Sequence, residues 1–147
     1  MVTFNYLIAG GKPRQVRLLK RFIPEVFRIE GRQLHSINYI FCSDEHLLGI
    51  NRDYLNHHFY TDIITFELNS NEEPVISDIY ISTDRVRENA ATLKEDYQTE
   101  LRRVMIHGVL HLCGYRDKSG ADKKKMRMKE DFYLGKFQSF FSRGTSL

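Results

Sequence analysis

The 147-residue chain has the length of one domain, enough to bury about two-thirds of its unfolded surface and so to hold a core without disulfide staples. Its two cysteines, Cys42 and Cys113, sit in apolar surroundings and read as reduced, buried thiols; residues Met1 to Ala9 lack the cationic start and cleavage site of a secretory signal, and no apolar run is long enough to span a bilayer. The 22 Lys and Arg exceed the 19 Asp and Glu only slightly, but eight of those cations and three of the acids fall between Lys118 and Arg143, leaving the rest of the chain mildly acidic.

The sequence therefore reads as one cytoplasmic domain over residues 1–147. Val2 to Ala9 alternates β-branched and aromatic residues and predicts a first strand, punctuated by Gly10 and Gly11. Val16, Leu18, Leu19, Phe22, Ile23, Val26 and Phe27 recur at helical spacing and predict an amphipathic helix ending near Gly31. Ser36 to Ser43 predicts a second strand, and Ser43 or Asp44 can cap a helix running through Leu47, Leu48, Ile50 and Tyr54. Ile63 to Leu68 and Val75 to Ser82 predict a third and fourth strand, joined across the short polar segment Asn69 to Pro74 in a hairpin-like connection. Helices follow over Asp84 to Leu93 and Thr99 to Leu112, the latter with Glu100 in its first turn and Gly114 placed to end it. A last helix from about Ala121 to Phe141 carries Met126, Phe132, Tyr133, Phe137, Phe140 and Phe141, whose helical spacing marks Phe132, Tyr133, Phe137 and Phe140 as core. The order describes an α+β fold: a four-stranded mixed sheet packed with about five helices.

The stretch with chemical content is H-G-V-L-H-L-C-G-Y-R-D, His107 to Asp117. His107 and His111 lie four apart on a helix, so both imidazoles share one face. Such a pair alone also occurs as hydrogen-bonded core. Two glycines shift the balance toward a metal. Gly108 interrupts the helix at a cost of about 1 kcal/mol relative to Ala, which indicates a close approach to the backbone there. Gly114 frees the chain to swing Asp117 back toward the two histidines. A catalytic zinc takes three protein ligands and one open position, and two His with one carboxylate meet that need. The residue after the first His is Gly108, not the general-base Glu of an H-E-x-x-H zinc peptidase, so that chemistry lacks its base.

These residues resemble the YbeY family of metal-dependent endoribonucleases, whose signature H-G-x-L-H-L-x-G-Y-D-H is similar to the stretch from His107 to Asp117. Upstream, Asn51 to Tyr54 followed by T-D-I-I-T-F at Thr61 to Phe66 resembles the family's N-x-x-Y-R and T-[DN]-V-L-S-F. S-D-I-Y-I-S at Ser77 to Ser82 resembles its G-D-I-x-I-[SC] strand. The three motifs keep their order over about half the chain. The resemblance implies a YbeY-like fold, a divalent metal (zinc first) on His107, His111 and Asp117, and catalysis through the metal-bound water. It also implies a single-strand-specific endoribonuclease of ribosomal RNA maturation and ribosome biogenesis, with the ribosome or a ribosomal protein as partner.

Two positions depart from the pattern. Asp117 stands in place of the family's third His, after Arg116 in place of Asp, which lowers the site's net charge and weakens acidification of bound water or favours harder ions. Leu55 stands where the family has an Arg expected to contact phosphate, and Arg52, His57, His58 and Arg116 are the candidates to replace it. For the proton-transfer step Asp62, Asp78 and Glu67 stay open, the first two equally readable as carboxylates that orient a ligating His, the third as a solvent-facing strand residue. The basic run from Lys123 to Lys129 can hold an RNA backbone, and Tyr60 or Tyr115 can stack an unpaired base. Two alternatives remain: a ribosome-associated assembly factor with a structural metal, and a metallohydrolase of a substrate other than RNA.

Overall fold

Apolar side chains at alternate positions 37, 39 and 41 and at 79 and 81 give two neighbouring strands one continuous buried face, and the sheet is built around them. The computed structural model describes residues 1–70 and 72–143, with the side chains of 141–143, and so that of Phe141, outside the described residues. Its elements are β1 (Val2–Tyr6), α1 (Val16–Glu30), β2 (Leu34–Cys42), α2 (Asp44–Leu55), β3 (Ile63–Glu67), β4 (Val75–Ser82), α3 (Thr83–Leu93), α4 (Tyr97–Leu112) and α5 (Gly120–Arg143). The strand order is β1-β2-β4-β3; the first three run parallel and β3 pairs antiparallel to β4 at the edge. This is the mixed sheet with five helices that the sequence predicts.

The main core joins the inner face of the sheet to α1, α4 and α5 through Phe22, Phe27, Tyr39, Phe41, Ile79, Leu101, Met105, Val109 and Tyr133, while Cys42, Leu47 and Ile64 form a smaller cluster under α2. Tyr39 buries its hydroxyl by donating to the Met105 carbonyl at 3.1 Å. The starts of α2, α3 and α4 are capped by Ser43, Ser82 and Asp96, whose side chains accept the His46, Arg85 and Thr99 N–H groups. The Asp96 cap starts α4 two residues before the expected Thr99.

One expectation for α5 fails. Met126, Tyr133 and Phe137 are buried and Phe140 is partly so, but Phe132 is 50% exposed. The inner face of α5 is instead continued by Glu130, four residues after Met126 and three before Tyr133, which is only 5% exposed. Cys42 is buried as expected, whereas Cys113 is partly buried; both are free, and burial pushes each thiol up to about 12.

Candidate functional site

Gly108 is the point at which α4 meets the sheet. A Cβ there would stand 2.9 Å from the Ile63 δ-methyl, 3.3 Å from that of Ile79 and 3.4 Å from Thr65 Cγ2. The close approach read from the sequence is therefore made by β3 and β4 side chains. Its effect is to set His107, one residue before it, and His111, three residues after it, beside the edge strand β3.

The end of α4 is shaped by backbone bonds. Gly114 adopts φ +103°, a conformation that side chains oppose, and its N–H donates to the His111 carbonyl at 3.0 Å. The Tyr115 N–H donates to the Leu110 carbonyl, also at 3.0 Å, which completes a Schellman closure and reverses the chain. Tyr115 is then pinned by its hydroxyl, which donates to Glu30 Oε1 at 2.7 Å; Tyr133 and Lys129 bond the other oxygen of the same carboxylate. From this anchored turn Asp117 arrives with Oδ2 3.7 Å from His107 Nε2.

His107, His111 and Asp117 line one open cleft of about 820 Å³ with Ile63 and Thr65 from β3 and the basic side chains His57, Arg116 and Lys118. A side chamber of about 330 Å³ shares His107 and Asp117 and adds Asp62, Glu100, Arg103, Lys123, Arg127 and Glu130. Among the described residues no three His, Cys, Asp or Glu side chains are already drawn together as a closed metal cage. The donor set nevertheless fits a divalent ion. Glu130 Oε2 lies 2.7 Å from His107 Nδ1, and a carboxylate accepts rather than donates, so in the neutral imidazole Nδ1–H is the donor and Nε2 carries the lone pair, on the side of Asp117. Burial works against a charged His107, but the Glu130 hydrogen bond and charge, with Asp117 and Asp62 behind them, hold its pKa above the ordinary value.

Glu130 is the residue that sequence reasoning missed. It is gripped from α4 by Arg103, whose Nη1 lies 3.3 Å from Oε1 and which also bonds Asp131 at 2.8 Å. The available signal was its place on the buried stripe of α5, where a carboxylate needs partners.

Of the sequence candidates for acid–base work, the structure separates two. Asp62 lines the side chamber, accepts a hydrogen bond from Asn89 Nδ2 at 3.4 Å, and has its pKa raised by burial against the opposing pull of His107. Asp78 belongs to the other face of the sheet, in a groove with Ile50, Tyr54, Phe66, Leu68 and Tyr80, because β4 alternates and Ile79 takes the inward position. Asp78 thus orients no histidine here, and Glu67 is exposed as expected.

Leu55 ends α2 and does not line the cleft; nor do Arg52, which lies 3.4 Å from Asp53, or the exposed His58. His57 and Arg116 do line it. The buried Asn51 holds the segment bearing His57, donating from Nδ2 to the Phe59 carbonyl at 2.9 Å and accepting the His57 N–H at its own carbonyl. Around the Lys123 to Lys129 run the cations diverge: Lys123 and Arg127 face the side chamber, whereas Lys125 and Lys129 sit over the Tyr115 ring. With its hydroxyl tied to Glu30 and its ring flanked by these lysines, Tyr115 acts as an anchor for the turn. Tyr60 is 46% exposed, with its hydroxyl on Glu45 and Arg85 over its ring.

A family profile described as Endoribonuclease YbeY matches residues 12–138. The chain is similar to the endoribonuclease YbeY of Flavobacterium psychrophilum, 48% identical over 93% of this chain and 96% of that one. It is 43% identical to the Porphyromonas gingivalis protein of the same name, over 100% of this chain and 98% of the other. Its fold resembles the solution structure of TM1509 from Thermotoga maritima, with a TM-score of 0.66, 24% identity, and coverage of 99% and 95% of the two chains.

Proposed function

The chain belongs to the YbeY endoribonuclease family, and on that footing we propose that it is a metal-dependent hydrolase that cuts single-stranded RNA during ribosomal RNA maturation, with His107, His111 and Asp117 as the metal ligands. The observation that carries the reading is the pairing of His107 Nδ1 with Glu130 at 2.7 Å, which leaves Nε2 free in the cleft that also holds His111 and Asp117. A divalent ion bound there, zinc first, supplies an activated water and a Lewis acid for the phosphodiester.

The protein's own residues divide the remaining work. Glu130 fixes the ring orientation and tautomer of His107. Asp62, desolvated in the chamber beside His107 and Asp117, holds or releases a proton at its carboxylate and is the acid–base group we assign. Arg116 and Lys118, with His57, attract the phosphate backbone and take the place of the Arg that Leu55 replaces. No helix is long and apolar enough to cross a membrane among the described residues. A cytoplasmic setting and a ribosomal partner accompany this reading.

The test is metal content and RNA cleavage of the wild type beside His111→Ala and Asp117→Ala. One metal per chain, lost together with cleavage in both variants, is the expected result. Metal retained by Asp117→Ala would remove Asp117 from the ligand set. Bound metal with tight, salt-sensitive RNA binding and no cleavage would replace the enzyme with an assembly factor holding a structural metal.

A further inference from the structure

The strand that walls the cleft is an edge strand, and its unpaired side carries a row of backbone groups. The Leu68 N–H donates to the Ile76 carbonyl at 2.8 Å and the Ser82 N–H to the Asp62 carbonyl at 2.9 Å. Hydrogen-bonded pairs alternate along an antiparallel ladder, so residues 62, 64, 66 and 68 turn their N–H and C=O groups toward β4. Ile63, Thr65 and Glu67 turn theirs to the free edge. Among the described residues the N–H groups of these three have no hydrogen-bond partner, nor do the carbonyls of Thr65 and Glu67. The Ile63 carbonyl receives one long contact, 3.5 Å from the Thr61 hydroxyl. Proteins ordinarily blunt or cover such an edge. Here it runs along a cleft, with the side chains of Ile63 and Thr65 in the lining next to His107 and His111.

The remaining lining gives the edge its partner. Arg116 and Lys118 are cations in the same cleft, so it suits a polyanion whose backbone they can hold. Outward-facing groups on alternate strand residues lie about 7 Å apart, twice the rise per residue. Stacked bases along one strand are spaced at about 3.4 Å, so the edge matches bases that have come out of the stack. Those are also the bases whose pairing edges are free.

We propose that the outer edge of β3, at Ile63 and Thr65, is a base-binding subsite: its backbone N–H and C=O groups hydrogen-bond the exposed edges of unpaired RNA bases while Arg116 and Lys118 hold the flanking phosphates. The subsite rests on the RNA-cleavage reading above and gives it a cause for single-strand specificity. In a duplex the base edges are already paired and the strand edge finds no partner.

The test uses the metal-loaded protein and a short fluorescent oligoribonucleotide in which one base at a time is removed to leave an abasic residue. For the wild type, the abasic residue that falls at the subsite weakens binding about 3–10-fold, the worth of one or two net hydrogen bonds. Thr65→Pro deletes one outward N–H, and proline is tolerated in edge strands where that group faces away from the ladder. It weakens binding of the intact strand by a similar factor, has no further effect on the abasic strand, and leaves the salt dependence unchanged. Thr65→Ala, which keeps the N–H, shows no such loss of base discrimination. Arg116→Ala weakens all strands alike and lowers the salt slope by about one. Equal wild-type affinity for every abasic strand would overturn the subsite, and that measurement stands if Thr65→Pro fails to fold. Equal loss by Thr65→Pro on intact and abasic strands would overturn it as well. An extended peptide that displaces RNA, with no abasic effect, would assign the edge to strand pairing with protein instead. A wild type that neither binds nor cuts single-stranded RNA would overturn both the subsite and the reading beneath it.

Discussion

Replacing Glu130 by Gln tests whether the carboxylate behind His107 is part of the metal site. The side chain is 5% exposed and accepts from two residues of α4 at once: His107 Nδ1 at 2.7 Å and Arg103 Nη1 at 3.3 Å. Gln keeps the volume but offers one acceptor oxygen, so either His107 or Arg103 meets an amide NH₂. Loss of the negative charge also removes the main influence that holds the His107 pKa up, so that pKa falls. Loss of such a partner ordinarily costs about 10–100-fold in metal affinity, or about 1.4–2.7 kcal/mol. Stability falls less than the burial alone implies, because Arg103 keeps Asp131 at 2.8 Å; about 1–2 kcal/mol is expected. Chelator competition for zinc gives the affinity, and urea unfolding of the metal-free protein gives the stability. Asp131→Asn is the control: it weakens another of the acidic partners of Arg103, which also pairs with Glu100 at 3.5 Å, so stability drops slightly while zinc affinity holds. A folded Glu130→Gln protein whose zinc affinity stays within twofold of wild type would refute the role assigned to this carboxylate.

Two further perturbations probe how the site is positioned. Burial would raise the Glu30 carboxyl pKa, but the bonds from Tyr133, Tyr115 and Lys129 outweigh it and hold the folded value below the ordinary one. Its contribution is therefore complete above the unfolded pKa of about 4.3 and fades as pH falls through the lowered folded value. Glu30→Gln should accordingly cost about 1.5–3 kcal/mol at pH 7, with the gap from wild type narrowing below about pH 4 in urea titrations; a gap independent of pH would disprove the charged cluster. At Gly108, Ala gains about 1 kcal/mol of helix propensity and meets the movable tip of Ile63 at 2.9 Å, so its net effect on stability is small. Gly108→Val adds bulk against both Ile63 and the fully buried Ile79 and should cost about 2–3 kcal/mol. A Val variant within about 0.5 kcal/mol of wild type would show that α4 and the sheet are not in tight contact there.

Much of the site was legible because it is local. His107 and His111 share a helical face by spacing alone, and Gly114 announces the reversal that returns Asp117 to His107. Gly108 marked a close approach in the sequence without naming what approaches. Ile63, Ile79 and Thr65 lie 29 to 45 residues earlier in the chain, and only their packing identifies them. Phe132 was misread for a related reason: helical spacing narrows a buried stripe but does not place its border, and the stripe passes through Glu130 instead. Asp62, just before β3, and Asp78, within β4, stood on equal terms as acids until strand pairing put one beside His107 and the other behind the sheet.

The order of the elements, the Ser43 cap of α2 and the shared face of the two histidines follow from the sequence alone, since each depends on residues within a few positions of one another, whereas the Ser82 and Asp96 caps emerge only in the structure. Tertiary structure decided that β3 takes the edge next to α4, that Glu130 comes from α5 to meet His107 and Arg103, and that Glu30 anchors the turn leading to Asp117. Those pairings span 23 to 85 residues. Their partners are chosen by which faces must be buried together and which buried charges must be satisfied, and neither condition is written in local spacing.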